Sequence, residues 1–151
     1  MKPKTILILD LDGVLITTPP WKADVIHTDG YSQFNINCIT NLNKLLTLKT
    51  FEIWLSSTRR TTKTLTEFNQ IFINRGIIQP IKGFLPVYKN CTSRKDEIIS
   101  FINDFNLNDF LIIDDDKSLN AISYKNQSVL TQFLKGFNNE ALSEAIKKSR
   151  L

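Results

Sequence analysis

Residues 5–13, with the sequence TILILDLDG, decide the fold that we predict for this chain. Positions 5–10 form a short run that is apolar on both faces of an extended chain, which is typical of a strand buried inside a parallel sheet. Two acids, Asp10 and Asp12, and then Gly13 stand at the carboxyl end of that run. The segment therefore predicts a central strand that ends in a pair of carboxylates.

The rest of the chain alternates short apolar runs with amphipathic stretches, a pattern that predicts a parallel sheet covered by helices. Further strands are predicted at 51–55, near Phe84, at 110–113 and at 128–131. Helices are predicted over about 37–48, from Thr61 or Thr62 to Gly76, from a capping box at 93–96 through Phe105, around 117–124 and over about 139–149. We therefore expect one α/β domain over residues 1–151, a doubly wound three-layer sandwich with a central parallel sheet. Its ligand site should lie at the carboxyl ends of the strands.

Composition narrows the class of protein. The 151 residues are 42% hydrophobic and 23% charged, as in ordinary globular proteins, and the longest purely apolar runs are only a few residues. We therefore expect no membrane contact and, because Asp10 comes too early for a signal-peptide core, a cytoplasmic location. Cys38 and Cys91 lie far apart and His27 is the one histidine, which argues against a disulfide framework, a histidine zinc site and a Ser-His-Asp triad.

Polar residues collect where the predicted strands end. Asp10 and Asp12 follow the first strand, Ser56 follows the second, Lys95 begins a helix, and three consecutive acids at 114–116 close the next strong strand. Because the carboxyl ends of parallel strands share one rim of a sheet, these side chains are expected to converge. Crowded carboxylates repel unless a cation joins them, and oxygen ligands without histidine or cysteine favour Mg²⁺. Lys95 and Ser56 would add the positive charge and the hydroxyl that a phosphate requires.

These groups resemble, in order, the four motifs of the haloacid dehalogenase (HAD) superfamily, whose members are mostly phosphatases. Residues 10–14 (DLDGV) resemble the first motif, and Ser56 after IWL resembles the second. Lys95 at a helix start resembles the third motif, and residues 112–115 (IIDD) resemble the fourth. The resemblance covers roughly residues 4–145 and implies the Rossmann-like form of the α/β fold that HAD proteins share.

The resemblance also implies a role for the acids. Asp10 would be the nucleophile that forms an aspartyl-phosphate, and Asp12 would protonate the leaving oxygen and later activate water. Mg²⁺ would be held by the Asp10 carboxylate, the Asp12 backbone carbonyl, and Asp114 or Asp115. Which acid of the run 114–116 reaches the metal stays open at this point.

Other residues would bind the phosphoryl group and the substrate. Ser56 and Lys95 would hold phosphoryl oxygens, with Ser57 as the alternative hydroxyl, and Gly13, Ser57 and Arg59 are candidates for substrate contact. The pair Arg59-Arg60 is interpreted as solvent-exposed, the usual state of such pairs beside a helix start. Trp21 and Tyr31 are interpreted as flap or core residues rather than as base-stacking ones.

The intervals between the motifs leave no room for the cap domain with which HAD enzymes usually choose substrates. Ser56 lies 46 residues after Asp10, and Lys95 lies 39 residues after Ser56, and predicted strands, helices and a flap fill both intervals. We therefore expect no cap domain. In this superfamily an open site goes with large substrates or with closure by a partner.

The expected partner is a bulky or polymeric phosphorylated substrate, such as a nucleic-acid end or a phosphoprotein. Outside the five clustered acids the chain carries a net charge of +9, because 19 lysines and arginines face ten other acids, and this suits a polyanion. The WLSS element and the capless layout also resemble HAD domains attached to RNA-repair proteins. Two alternatives stay open: a small-molecule phosphatase or nucleotidase with a lid from a dimer partner, and a non-catalytic module that binds phosphate or nucleic acid.

Overall fold

A five-stranded parallel sheet forms the centre of the computed structural model, which describes residues 4–149. Its strand order is β3-β2-β1-β4-β5, and every neighbouring pair is parallel. The strands are β1 (Thr5–Leu9), β2 (Phe51–Leu55), β3 (Ile81–Phe84), β4 (Phe110–Asp114) and β5 (Ser128–Leu130). The chain runs outward from β1 in one direction to β3 and then returns to the other side of β1. This reversal puts a topological switch point between β1 and β4, where ligands of such sheets bind.

Helices cover both faces of this sheet, so the predicted three-layer sandwich is confirmed. The helices are α1 (Ile36–Leu48), α2 (Leu65–Asn74), α3 (Arg94–Asp104) and α4 (Asn139–Lys148). α1, α2 and α4 pack with Leu7 and Leu9 of β1 in one apolar cluster, whereas α3 packs with Ile8 in a second cluster. Alternate side chains of β1 therefore belong to the two cores, which explains why this strand is apolar at every position after Thr5.

Side-chain caps fix where the helices begin. The amides of the third helical residues bind the side chains of Asn35, Thr64, Ser93 and Asn138. The prediction of a cap at Thr61 or Thr62 was wrong by two or three residues, because residues Thr58–Thr61 first form a 3₁₀-helix. Thr64 is the cap, and with Glu67 it forms a reciprocal capping box.

The segment 117–124 was predicted to be one helix and instead begins with a 3₁₀-helix, Lys117–Ala121, that ends at Ile122 in extended backbone. A second 3₁₀-turn, Lys125–Gln127, leads directly into β5. Leu119 and Ile122 are both buried in the α3-side core. Their spacing of three residues suits a 3₁₀-turn, in which side chains three apart lie above one another.

Residues 18–34, here called the flap, lead from β1 to α1 and lie outside the sheet. Val25 and Gln33, and His27 and Tyr31, are joined by backbone hydrogen bonds of 2.8 Å, so the flap contains a short hairpin. Within residues 4–149 the connections between strands hold the flap and the helices described above, and no separate folded cap. No helix in this described part of the chain has the length and apolar character needed to cross a membrane.

Candidate active site

Three carboxylates meet at the switch point between β1 and β4. Asp10 directly follows β1, Asp114 is the last residue of β4, and Asp115 comes next. One oxygen from each lies within 4.8 Å of the others, and we call these three residues the acidic cluster. Asp10 is 4% exposed and Asp114 is fully buried. The convergence expected from the ends of the strands is thus present in the structure.

Burial and mutual repulsion make the acidic cluster costly without a cation. Desolvation by burial, followed by the charge of Asp114, raises the pKa of Asp10 well above its ordinary range. Burial also raises the pKa of Asp115. Among the described residues no histidine or cysteine joins these three oxygen ligands, so the donor set suits a hard divalent cation such as Mg²⁺.

Asp116 lies outside the acidic cluster. Its Oδ1 accepts a hydrogen bond of 2.9 Å from the Ser118 amide and caps the following 3₁₀-helix. Of the three consecutive acids, the structure therefore brings Asp114 and Asp115 to the cluster and gives Asp116 a capping contact.

The cation that contacts the acidic cluster is Arg94, the first residue of α3. Its Nη1 lies 2.7 Å from Asp114 Oδ2 and 3.4 Å from Asp10 Oδ1, and these two carboxylates raise the pKa of the guanidinium against the opposing effect of its burial. The backbone amide of Lys95 donates to Ser118, and within residues 4–149 the Lys95 ammonium makes no hydrogen bond or ion pair. Lys95 as a phosphate ligand stays a prediction, and sequence reasoning missed Arg94. Arg94 and Lys95 are adjacent cations at the start of α3, and the orientation of its first turn decides which of them contacts the acidic cluster.

Asp12 is not part of the acidic cluster and binds Arg59 in a bidentate pair. Arg59 Nε lies 2.8 Å from Asp12 Oδ2 and Nη2 lies 2.9 Å from Oδ1, and this hydrogen bonding raises the pKa of Arg59. Arg59 also donates to Tyr31 Oη and Ser32 Oγ of the flap, at 3.2 and 3.1 Å. Arg59 thus connects the candidate acid–base residue Asp12 to the flap through hydrogen bonds.

The two serines after β2 have different contacts. Ser56 Oγ lies 3.4 Å from Asp114 Oδ2 and faces the acidic cluster, and both groups are buried. Ser57 Oγ instead accepts from the Arg59 amide at 3.2 Å and caps the 3₁₀-helix Thr58–Thr61. Ser56 is therefore the hydroxyl that the structure brings to the candidate phosphate position.

Gly13 packs directly against the acidic cluster. Its φ of 78° lies in the left-handed region, and a Cβ atom built on it would come within 2.3 Å of the Asp115 carboxyl group. Its carbonyl accepts a hydrogen bond of 2.6 Å from Thr131 Oγ1. The absence of a side chain at Gly13 thus leaves room for the Asp115 carboxyl group, while a contact of Gly13 with substrate stays a prediction.

Gly13→Ala is expected to displace Asp115 and to weaken metal binding as well as stability, the latter by about 1–3 kcal/mol. Thermal unfolding with and without Mg²⁺ measures both effects, because a ligand that binds the folded state raises its melting temperature. Gly76→Ala is the matched control, since Gly76 has a φ of 77° and open space around its Cα. An equal Mg²⁺-induced rise in both variants would contradict the proposed contact between Gly13 and the metal site.

Arg60 stabilises the elements around the site and is not exposed as the sequence analysis expected. It is 5% exposed, so its interpretation as part of an exposed basic pair was wrong. Its guanidinium donates to four backbone carbonyls, at 2.8–3.2 Å, and to Glu97 Oε2 at 2.6 Å. The carbonyls belong to Ser56, Ser57, Leu85 and Pro86. Arg60 thereby joins the loop after β2 to the end of β3 and to α3, which carries Arg94.

A comparison of the sequence with known protein families matches a stretch that includes every residue of this site. A family model described as "HAD domain in Swiss Army Knife RNA repair proteins" matches residues 6–142. The matched stretch begins in β1, ends in α4, and contains the acidic cluster with Ser56, Arg59, Arg60 and Arg94. No curated protein matches the sequence.

Proposed function

The chain belongs to the family of HAD domains found in Swiss Army Knife RNA repair proteins, and from this premise we propose that it is a Mg²⁺-dependent phosphatase acting on terminal phosphates of RNA. Membership supports a phosphatase-like function at the level of the superfamily. The observation that carries the finer proposal is the approach of oxygens of Asp10, Asp114 and Asp115 to within 4.8 Å of one another. Arg94 sets one positive charge against these three carboxylates, so a divalent cation would offset the rest of their charge and would draw a phosphate to the nucleophile.

Asp10 is the nucleophile in this proposal. The Leu11 amide donates to its Oδ1 at 2.8 Å and fixes the orientation of the carboxylate. A carboxylate oxygen attacks phosphorus, the bond from phosphorus to the leaving oxygen breaks, and an aspartyl-phosphate forms on Asp10. Water then cleaves this intermediate, releases inorganic phosphate and restores the Asp10 carboxylate.

Asp12 transfers the protons in both steps. It gives a proton to the leaving oxygen in the first step and takes one from the attacking water in the second. A carboxylate that accepts two hydrogen bonds from Arg59 has no proton to give, so before the first step Asp12 must part from Arg59 and take up a proton from solvent water. Phosphates of a bound substrate compete for the same guanidinium and would release Asp12.

Arg94 and Ser56 would stabilise the phosphoryl group. Both contact Asp114, at 2.7 and 3.4 Å, and therefore border the position that a phosphate next to Asp10 would occupy. Mg²⁺, held by Asp10, Asp114 and Asp115, would offset the negative charge shared by these carboxylates and the phosphoryl oxygens. Donors fixed in advance at the site where charge develops provide much of the rate enhancement in such reactions.

RNA ends are the proposed substrate because three features agree. The matched family takes its name from RNA repair, residues 4–149 contain no separate cap over the site, and the chain outside the acidic cluster carries +7, because 19 lysines and arginines face 12 other acids. A site without a cap, on a chain with this excess of positive charge, suits the end of a polyanion.

Phosphate release from a substrate panel tests the proposal. We would compare 3′- and 5′-phosphorylated RNA oligonucleotides with mononucleotides and an aryl phosphate, each in Mg²⁺ and in EDTA. Release is expected to be fastest from one end of RNA and to disappear in EDTA. Release confined to mononucleotides or the aryl phosphate would replace RNA by a small molecule, and release from a phosphoprotein alone would replace it by a protein. No release from any substrate in Mg²⁺ would leave the chain as a binding module.

A further inference from the structure

The flap is fixed to the rest of the domain at its base and at its tip. At the base, the Asn35 amide donates to the Leu15 carbonyl at 2.7 Å and the Asn35 side chain donates to Thr17 Oγ1 at 3.1 Å. At the tip, Arg75 of the α2 end binds both carboxylate oxygens of Asp29, at 2.5 and 3.0 Å. The flap therefore keeps a defined position beside the site.

The middle of the flap contacts the arginine that binds the candidate acid–base residue. Asp24 Oδ2 lies 3.4 Å from Arg59 Nη2, and the same guanidinium holds Asp12. Three peptide units separate Trp21 from Asp24, so their Cα atoms lie at most about 11 Å apart. Trp21 therefore lies within about 11 Å, Cα to Cα, of a flap residue that contacts the guanidinium bound to Asp12.

Trp21 has a large apolar side chain that is mostly exposed to solvent. It is 74% exposed, and Val25 and Ile26, which belong to the same flap, are 63% and 57% exposed. The second tryptophan, Trp54, instead packs against Phe101 with ring centroids 5.3 Å apart and donates its indole N–H to Glu52. Large side chains exposed together mark surfaces that bind something. The expectation that Trp21 belongs to the flap is confirmed, and a core role is excluded.

Lysines close to aromatic residues of the flap favour a nucleic acid over a protein partner. Lys22 is its exposed neighbour in the chain, and the Lys63 ammonium lies 5.6 Å from the centre of the Tyr31 ring on the same flap. Lysines that attract a phosphate backbone beside an aromatic ring that stacks on bases are the usual elements of a single-strand binding surface. Base stacking on aromatic side chains tolerates any sequence, as an RNA-end enzyme requires.

We propose that Trp21 is a stacking platform for the nucleobase adjacent to the phosphate that is removed, and that the flap makes the enzyme specific for polynucleotide ends. This inference rests on the proposed function and adds the residue that recognises the polymer. It also assigns the flap a substrate-binding task of the kind that cap domains perform in other HAD enzymes.

Steady-state kinetics of Trp21→Ala and Trp21→Phe test the platform. Trp21→Ala is expected to raise KM for the phosphorylated RNA oligonucleotide about 10-fold, within a range of roughly 5- to 100-fold, and to leave kcat unchanged. Trp21→Phe keeps a stacking ring and should recover most of the affinity. Neither change should alter KM for an aryl phosphate or for an oligonucleotide whose terminal nucleotides lack bases. An unchanged oligonucleotide KM in Trp21→Ala would overturn the proposal.

A fluorescence measurement separates this inference from the proposed function because it needs no turnover. In Asp10→Asn with Trp54→Phe, Trp21 is the one remaining indole, and a phosphorylated RNA oligonucleotide in Mg²⁺ is expected to quench it while the base-free oligonucleotide does not. Quenching without phosphate release from the wild type would retain the platform and reject the phosphatase. Phosphate release from RNA by the wild type without quenching would support the phosphatase and reject the platform. Quenching by a phosphopeptide instead of RNA would overturn the nucleobase assignment.

Discussion

Replacing Asp10 by asparagine is expected to lower the rate of phosphate release by roughly 10⁴-fold or more, as loss of a covalent nucleophile does in other enzymes. Asparagine has nearly the same shape but carries a neutral amide in place of the attacking oxygen. The Leu11 amide can still donate to the side-chain carbonyl, so the geometry at the end of β1 should persist. Initial rates on phosphorylated RNA in Mg²⁺, together with trapping of labelled phosphate on the protein, measure the loss.

Stability and a neighbouring acid supply the controls for this variant. Burial and the charge of Asp114 disfavour the ionised form of Asp10, so removal of this charge should leave the melting temperature unchanged or higher. Asp116→Asn is the matched control, because asparagine also caps helices and Asp116 lies outside the acidic cluster. Asp116→Asn should retain near wild-type rates. Wild-type turnover in Asp10→Asn would show that Asp10 is not the nucleophile.

Much of the fold was predictable because the strands at its centre are strongly apolar. β1 and β4 bury nearly all of their side chains, and β2 buries Phe51, Ile53 and Leu55 while Glu52 and Trp54 are half-buried. Short apolar runs of this kind can be recognised without tertiary information. Helix starts were less accurate between Thr61 and Thr64, where every threonine is a competent cap. The choice among them depends on the 3₁₀-turn that Ser57 begins, and this turn has no strong sequence signal.

The acids of the candidate site were predictable for a similar reason, whereas Arg94 was missed and the contact of Arg59 with Asp12 was not foreseen. Asp10 and Asp114 sit directly at strand ends, so strand boundaries alone bring them together. Arg94 and Arg59 each have a basic neighbour in the sequence, and only the orientation of one helical turn decides which of the two side chains faces the site. That direction depends on how α3 and the loop after β2 pack on the sheet. Long-range packing also decides burial, as Arg60 demonstrates.

Arg60→Met is expected to lower the free energy of unfolding by about 3–5 kcal/mol, the usual loss when one partner of a buried ion pair is removed. Methionine fills similar space but leaves the Glu97 carboxylate, 18% exposed, without its closest cation at 2.6 Å. It also leaves the carbonyls of Ser56 and Leu85 without their donor, and unpaired buried carbonyls are costly. Urea unfolding monitored by circular dichroism measures the loss.

The other half of the pair shows how much of that loss comes from charge. Glu97→Gln in the Arg60→Met background should recover part of the stability, because the neutral amide needs no counter-charge, and the double-mutant cycle gives the coupling energy. Arg60→Lys keeps the charge but not the fork that reaches several carbonyls, so an intermediate loss is expected. Phosphate release should fall along the same series, since Arg60 holds the Ser56 carbonyl while Glu97 Oε1 lies 3.8 Å from Arg94 Nε. A loss below 1 kcal/mol in Arg60→Met would mean that the three elements around the site hold together without this guanidinium.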